Sequence, residues 1–382
     1  MKIIIAGAGE VGRHLAKMLS SENQDIVLMD NDENRIKDLD GNYDLLTKVG
    51  SPTSIKDLEE AGVAEADLFI AVTPEESINM TACMLANNLG AHKTLARIDN
   101  SEYSQPKNKD FFEKLGVAHL IYPEMLAAHE IAASLKTSWL RQRTSFCDEA
   151  LTLLVIKVRE NSVIINRTFS TGYFNHKKYR IVAIKRNNHT IIPAGSDMVL
   201  AGDIVYFITT NEHLEFVREQ AGKIDFPIRN VMIMGGSRIA QKTIQIVPPQ
   251  VNVKILERDR EKSFSLAEKL NNTLIINCDG RNIELLKEEG IQDMDAFVAV
   301  TANSEANILA CLAAKRLGVK KTVAEVENID YIMLAESMDI GTVINKKMIA
   351  ASYIYQLTLD ADVLNVRNLT ATDAEVVEFI AK

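Results

Sequence analysis

DLFIAVTPEESINMTACMLANNLGAHKTLARIDN spans Asp67–Asn100, and DAFVAVTANSEANILACLAAKRLGVKKTVAEVEN spans Asp295–Asn328. The two stretches align without a gap at an offset of 228 residues (295 − 67 = 328 − 100 = 228). Each reads as an apolar strand, a turn, a helix and a second strand: Leu68–Val72, Glu75–Leu89 and Thr94–Ile98 in the first copy. The same offset carries Gly7 of IIIAGAGEVG onto Gly235 of VMIMGGSRIA (235 − 7 = 228). The period is far too long for a solenoid, so the chain is a tandem duplication of whole domains. A duplicated dinucleotide-type fold with no evident catalytic partner points to two ligand sites that sense rather than react.

Outward from the repeat, strands alternate with helices. Lys2–Ala6, Asp25–Asp30, Leu45–Val49 and His119–Tyr122 complete the first set of strands, and Pro123 opens a helix over Glu124–Lys136. The alternation predicts an α/β fold of doubly wound parallel sheets. The text changes near Ser138: Leu151–Val158, Tyr179–Arg186, Thr190–Ile192 and Ile204–Ile208 are Val/Ile-rich strands separated by Gly and Pro turns, closed by a helix over Glu212–Gln220. The expected segments are a Rossmann-like domain at 1–137, a small α+β domain at 138–224, a second Rossmann-like domain at 228–358, and the start of a second β-rich domain at 359–382. Ala374–Ile380 resembles Leu151–Val158, and Arg159–Lys223 have no counterpart in the second copy, which reads as incomplete. The first copy carries an insertion, expected within Tyr103–Lys109.

Composition bounds the function. At 382 residues and 47% hydrophobic, the chain can bury more than one core. A net charge of −9 argues against a nucleic-acid surface, which needs a basic stripe. No run approaches the roughly 20 apolar residues of a membrane span. A strand at the very start argues against a signal or transit peptide. Cys83, Cys147, Cys278 and Cys311 show neither CxxC pairing nor metal-ligand spacing, so cytoplasmic residence without a metal is expected. Cys83 and Cys311 are repeat-equivalent and read as small core residues.

Gly7-x-Gly9-x-x-Gly12 follows a strand and opens a helix, the context that makes this motif a nucleotide signal. The first glycine permits the tight turn, the second admits a pyrophosphate, and the third lets helix and strand pack. The helix N-terminus supplies a positive field. Asp30, 18 residues beyond Gly12 at a strand end, can accept bonds from ribose hydroxyls. Asn31-Asp32 follows it with no Arg for a 2′-phosphate, so NAD or an adenosine nucleotide is preferred over NADP. In the second half, Gly235-Gly236-Ser237-Arg238-Ile239-Ala240 keeps the first glycine, accepts Ala for the third and puts Ser237 where the phosphate would pass. Glu257 replaces Asp30, and Arg258 beside it could stack on adenine or meet a phosphate. Thr73-Pro74 and Thr301-Ala302 follow the fourth strands, as ligand contacts or as plain helix caps. Arg97 ends the fifth strand of the first half and could grip a phosphate; Glu325 stands there in the second. The seven histidines are scattered, none repeated at the offset, and no nucleophile–base pair emerges.

The whole chain resembles the TrkA family, the RCK (KTN)-domain regulatory subunits of bacterial Trk/Ktr potassium uptake systems. The resemblance rests on IIIAGAGEVGRHLA, on VLMD at Val27–Asp30, on the paired DLFIAVT and DAFVAVT, on LARI and VAEV, and on IIPAGSDMVLAGDIVYFI, which looks like a TrkA-C domain. It implies two RCK-N domains around one TrkA-C domain. It further implies a homotetramer or RCK ring under a membrane-embedded potassium channel or transporter subunit of TrkH/KtrB type, gated by NAD(H) or ATP/ADP. The implied first-half ligand set is Gly7, Ala8, Gly9, Glu10, Val11, Asp30, Thr73, Pro74 and Arg97. The helix Glu124–Lys136 and its counterpart Lys346–Leu357 resemble the crossover helices of neighbouring RCK domains. The family's Gly-Asp after the third strand is split here: Gly50-Ser51 in the first half and Cys278-Asp279 in the second. The resulting expectation is a non-enzymatic, nucleotide-sensing gating subunit. The alternatives are an NAD-dependent oxidoreductase with a duplicated Rossmann fold, and a scaffold with vestigial sites.

Overall fold

The computed structural model describes residues 1–20, 24–37, 43–175, 177–187, 189–328, 330–358, 363–368 and 374–379. The first sheet contains β1 (Lys2–Ala6), β2 (Asp25–Asp30), β3 (Leu46–Val49), β4 (Leu68–Ala71), β5 (Lys93–Arg97) and β6 (His119–Ile121). They run parallel in the order β3-β2-β1-β4-β5-β6. The accompanying helices are α1 (Glu10–Ser20), α2 (Glu33–Lys37), α3 (Ile55–Glu60), α4 (Glu76–Asn88), α5 (Lys109–Lys114) and α6 (Pro123–Lys136). Ile3, Ile4 and Ile5 are wholly buried, as a continuous apolar run must be at the centre of a parallel sheet. α1 turns Val11, Leu15, Ala16 and Leu19 inward, one face of a helix. The strand order reverses between β1 and β4, and ligands of such sheets sit in the crevice at the carboxyl ends there.

The middle segment is an antiparallel sheet of β7 (Gln142–Phe146), β8 (Leu151–Lys157), β9 (Tyr179–Arg186), β10 (His189–Ile191) and β11 (Ile204–Thr209), ordered β10-β9-β11-β8-β7. α7 (Leu214–Gln220) closes it after a short 3-10 turn at Asn211–His213, so the helix starts later than Glu212. β7 (QRTSF) escapes a sequence reading because it is a polar edge strand, paired on one side only. Leu154, Ile156, Phe207 and Val217 pack on one face of the sheet, and Phe146, Leu153, Val155 and Tyr206 on the other.

The second half repeats the first: β12 (Asn230–Met234), α8 (Arg238–Ile246), β13 (Asn252–Glu257), α9 (Arg260–Lys269), β14 (Leu274–Asn277), α10 (Ile283–Glu288), β15 (Ala296–Ala299), α11 (Ser304–Arg316), β16 (Lys321–Glu325), α12 (Asp330–Ser337), β17 (Thr342–Ile344) and α13 (Lys346–Gln356). Its sheet has the same order, β14-β13-β12-β15-β16-β17. Cys83 and Cys311 are both fully buried, each on the inner face of its helix. The last segment is a hairpin of β18 (Val363–Asn368) and β19 (Glu375–Phe379); Ile380, expected in this strand, lies outside the described residues.

The chain divides into two compact units, each completed by a piece from the other half: Met1–Leu126 with Lys346–Asp362, and Ala127–Asn345 with Val363–Lys382. In the first unit α13 packs along α1. In the second, Ser134 of α6 places its hydroxyl 3.2 Å from that of Thr342 in β17. The second unit also joins the antiparallel sheet to the second parallel sheet through charge. Asp339 receives Arg141 at 2.9 Å, Arg159 at 2.8 Å, Lys315 at 3.0 Å and Lys157 at 3.2 Å. Buried Lys185 meets Glu336 at 2.5 Å, and the Lys321 ammonium donates to the Leu140 carbonyl at 2.6 Å.

Candidate nucleotide sites

Three glycines stand in the turn between β1 and α1, and the steric demand differs at each. Gly7 has φ +112, and a Cβ there would lie 3.0 Å from the Thr73 nitrogen and 3.1 Å from the Val72 carbonyl carbon. Its absence lets the turn touch the end of β4. A Cβ on Gly12 would fall 1.9 Å from the Gly7 carbonyl oxygen, so α1 could not pack. A Cβ on Gly9 would meet nothing within 4 Å. The chain itself does not need a glycine at position 9; a ligand approaching the backbone would.

Asp30 is buried at the end of β2, and its carboxylate ties the turn together. Oδ2 accepts the Ala8 N–H at 2.6 Å and Oδ1 accepts the Asp32 N–H at 2.9 Å. The Arg35 guanidinium stands 3.7 Å from Asp30 and 3.5 Å from Asp32. That corrects the expectation that no Arg lies beside Asp30: α2, unnoticed in the sequence, carries one back by a helical turn. Glu10 is exposed at the start of α1, while Val11 is buried beneath it.

Thr73 and Arg97 are brought together by a residue the sequence reading passed over. Asn79, fully buried in α4, accepts the Thr73 N–H at 2.9 Å and its hydroxyl at 2.8 Å. Its amide donates to the carbonyls of Thr73 and Arg97, both at 3.0 Å. Asn307 does the same in the second half, bonding Thr301 and the Glu325 carbonyl. The signal was available: both stand at the repeat offset (307 − 79 = 228), and a polar residue on an apolar helix face needs a partner. Glu76 and Ser304 are a second such pair, accepting the N–H groups of Asp99 and Asn100 and of Glu327 and Asn328. The Arg97 guanidinium lies 3.5 Å from Asp99, and its Nε is buried without a hydrogen-bond partner among the described residues. Pro74 is exposed beside Thr73 at the mouth of the crevice.

The second half has the same frame with altered contents. Gly235 has φ +98, and a Cβ there would press on Thr301, so the turn is preserved. A Cβ on Gly236 would fall 2.2 Å from Leu266, which α9 lays over the turn. The Ser237 hydroxyl accepts the Ala240 N–H at 3.4 Å, capping α8 with a side chain where the first half has only Gly9. Ile239 and Ala240 are buried behind it, and Arg238 is exposed. Glu257 accepts the N–H groups of Gly236 and Asp259, both at 2.9 Å, and meets Lys262 at 2.8 Å. Burial pushes its carboxyl up, but the Lys262 bond and the two N–H groups outweigh that and hold it below the usual range. Asp279 is taken by its neighbour Arg281 at 2.5 Å, which lowers its pKa to about 2.

The comparison with known proteins gives the family. The TrkA-N domain model fits residues 3–123 and again 231–346, and the TrkA-C domain model fits 153–222. The chain belongs to the TrkA family. It is 37% identical over 385 residues to the Trk system potassium uptake protein TrkA of Haemophilus influenzae, covering all of this chain and 84% of that one. Its identity to the Vibrio alginolyticus TrkA is 32% over 385 residues, with the same coverage. Among solved structures, the GsuK channel bound to NAD shares the fold at a TM-score of 0.64 and 16% identity, covering 93% of this chain and 63% of that one. These TrkA relatives are named for potassium uptake and not for a catalysed reaction.

Proposed function

We propose that the chain is a nucleotide-sensing regulatory subunit of a potassium uptake system, with one principal nucleotide site, in the first half. The observation that carries this reading is the contrast between Gly9 and Ser237. The space over Gly9 is free of protein, while the second half fills the equivalent turn with the Ser237 cap, Leu266 and a Lys262-bound Glu257. The residues fit an adenine dinucleotide or ADP-like ligand. The turn Gly7–Gly12 and the N-terminus of α1 would take the pyrophosphate. Asp30 would accept ribose hydroxyls, and Thr73, Pro74 and Arg97 would line the second half of the crevice. NAD(H) is the first choice, and ATP or ADP satisfies the same turn; the GsuK channel, which shares the fold, has structures bound to NAD and to ADP.

The partner implied by the family is a membrane-embedded potassium channel or transporter subunit, with the RCK domains assembled in a ring on its cytoplasmic side. Among the described residues no helix is long and apolar enough to cross a membrane. A ligand shifts such a ring only through its different affinity for two arrangements. The test is potassium flux into vesicles carrying the membrane subunit with this chain bound. NADH or ATP should change the flux, and Gly9→Asp should abolish the change. Flux that ignores both nucleotides would refute the sensing role. Steady NADH turnover with a carbonyl substrate would favour the oxidoreductase instead.

A further inference from the structure

α13 does more than complete the first unit. Its second residue, Lys347, places its ammonium on the carboxylate of Glu10, the first residue of α1. Glu10 lies inside the Gly7–Gly12 turn, at the helix end that carries the positive field. A cation encoded some 340 positions away (347 − 10 = 337) is therefore paired with a side chain of the Gly7–Gly12 turn. Lys347 is 21% exposed and Glu10 57%, so a ligand can reach both. In the duplicate the two positions carry opposite charges: Arg238 matches Glu10 (238 − 10 = 228) and Glu124 matches Lys347 (347 − 124 = 223). The charge arrangement is specific to the half whose turn is open.

We propose that Lys347 is a phosphate-binding residue of the first site and the group through which the charge of the bound nucleotide is felt by α13. This deepens, and rests on, the nucleotide-sensing reading above. In the structure Glu10 holds Lys347. A pyrophosphate at the start of α1 is repelled by Glu10 and attracts the ammonium, which acts on phosphate as a point charge. Lys347 then divides its bonds between the carboxylate and the phosphate oxygens. Because α13 comes from the second half of the chain, that change draws on a helix which the first half does not itself supply.

The test is calorimetric titration of ADP against the full chain, its Lys347→Met, Lys347→Arg and Glu10→Gln variants, and Gly9→Asp as control. Lys347→Met should weaken ADP about tenfold, Lys347→Arg should keep most of the affinity, and Glu10→Gln should tighten it. Melting temperatures of all the variants should stay near that of the parent, since an exposed ion pair contributes little stability. ADP binding unchanged in Lys347→Met, with Gly9→Asp still abolishing it, would overturn this proposal and leave the nucleotide site standing. Glu10→Gln weakening ADP as much as Lys347→Met would also overturn it, by showing the pair to be a structural latch. No ADP or NADH binding to the parent chain would remove the nucleotide reading and this proposal together.

Discussion

Lys262 Nζ sits 2.8 Å from Glu257 Oε2, so the acid ending the second strand of the second half already holds a cation. Its first-half counterpart, Asp30, has Arg35 no closer than 3.7 Å. The duplicated frame has thus kept its backbone and changed the charges around its acid. One nucleotide per chain is the expected calorimetric stoichiometry. Combining Ser237→Gly with Lys262→Met and Leu266→Ala should raise it toward two, by freeing the helix end, the acid and the space over Gly236. A parent chain that already binds two equivalent nucleotides would show that Lys262 and Ser237 do not obstruct the site.

The two asparagines make a stability prediction. Asn79→Ala strips the Thr73 N–H and hydroxyl of their acceptor and the Thr73 and Arg97 carbonyls of a donor, all at a fully buried side chain. The expected loss is about 2–3 kcal/mol in urea unfolding. Asn307→Ala should cost a similar amount, because its four bonds are the same. Asn79→Asp keeps the acceptors but turns a carboxylate oxygen onto the Thr73 and Arg97 carbonyls at a fully buried site, so it should cost at least as much as the alanine variant.

Much of this frame could be read in the sequence. The gap-free repeat, the glycine spacing and the acid at the end of β2 predicted both parallel sheets and the position of the first turn. The elements that escaped include α2 and the polar edge strand β7, which lack an apolar signal of their own. Asn79 and Arg35 escaped for a related reason. The repeat offset marked Asn79 as a position of interest, but its partners, and those of Arg35, depend on which strand ends the fold places side by side. The sequence marked Ser237 as the departure from the glycine motif; that its hydroxyl caps α8 needed the backbone.

Asp339 makes a pH prediction. Burial pushes its carboxyl up, but Lys315, Lys157 and Arg141 outweigh that and hold it well below the usual carboxylate range. A carboxyl depressed in the folded state contributes stability above its unfolded value of about 3.9, and loses it as pH falls toward the folded value. Asp339→Asn should therefore cost about 2 kcal/mol near neutrality. The gap between parent and variant, followed by urea unfolding, should narrow as pH drops below 4. A gap that is constant between pH 7 and pH 3 would show that the four cations do not depend on this charge.

The central claim is that the open turn over Gly9 binds an adenine nucleotide. It is tested most directly by calorimetry of NADH and ATP against the folded parent chain and its Gly9→Asp variant, with circular dichroism confirming that both are folded. The account predicts micromolar binding to the parent and none to the variant, because a carboxylate would occupy the space that Gly9 leaves free. Binding that survives Gly9→Asp, or a folded parent chain that takes up neither nucleotide, would contradict it.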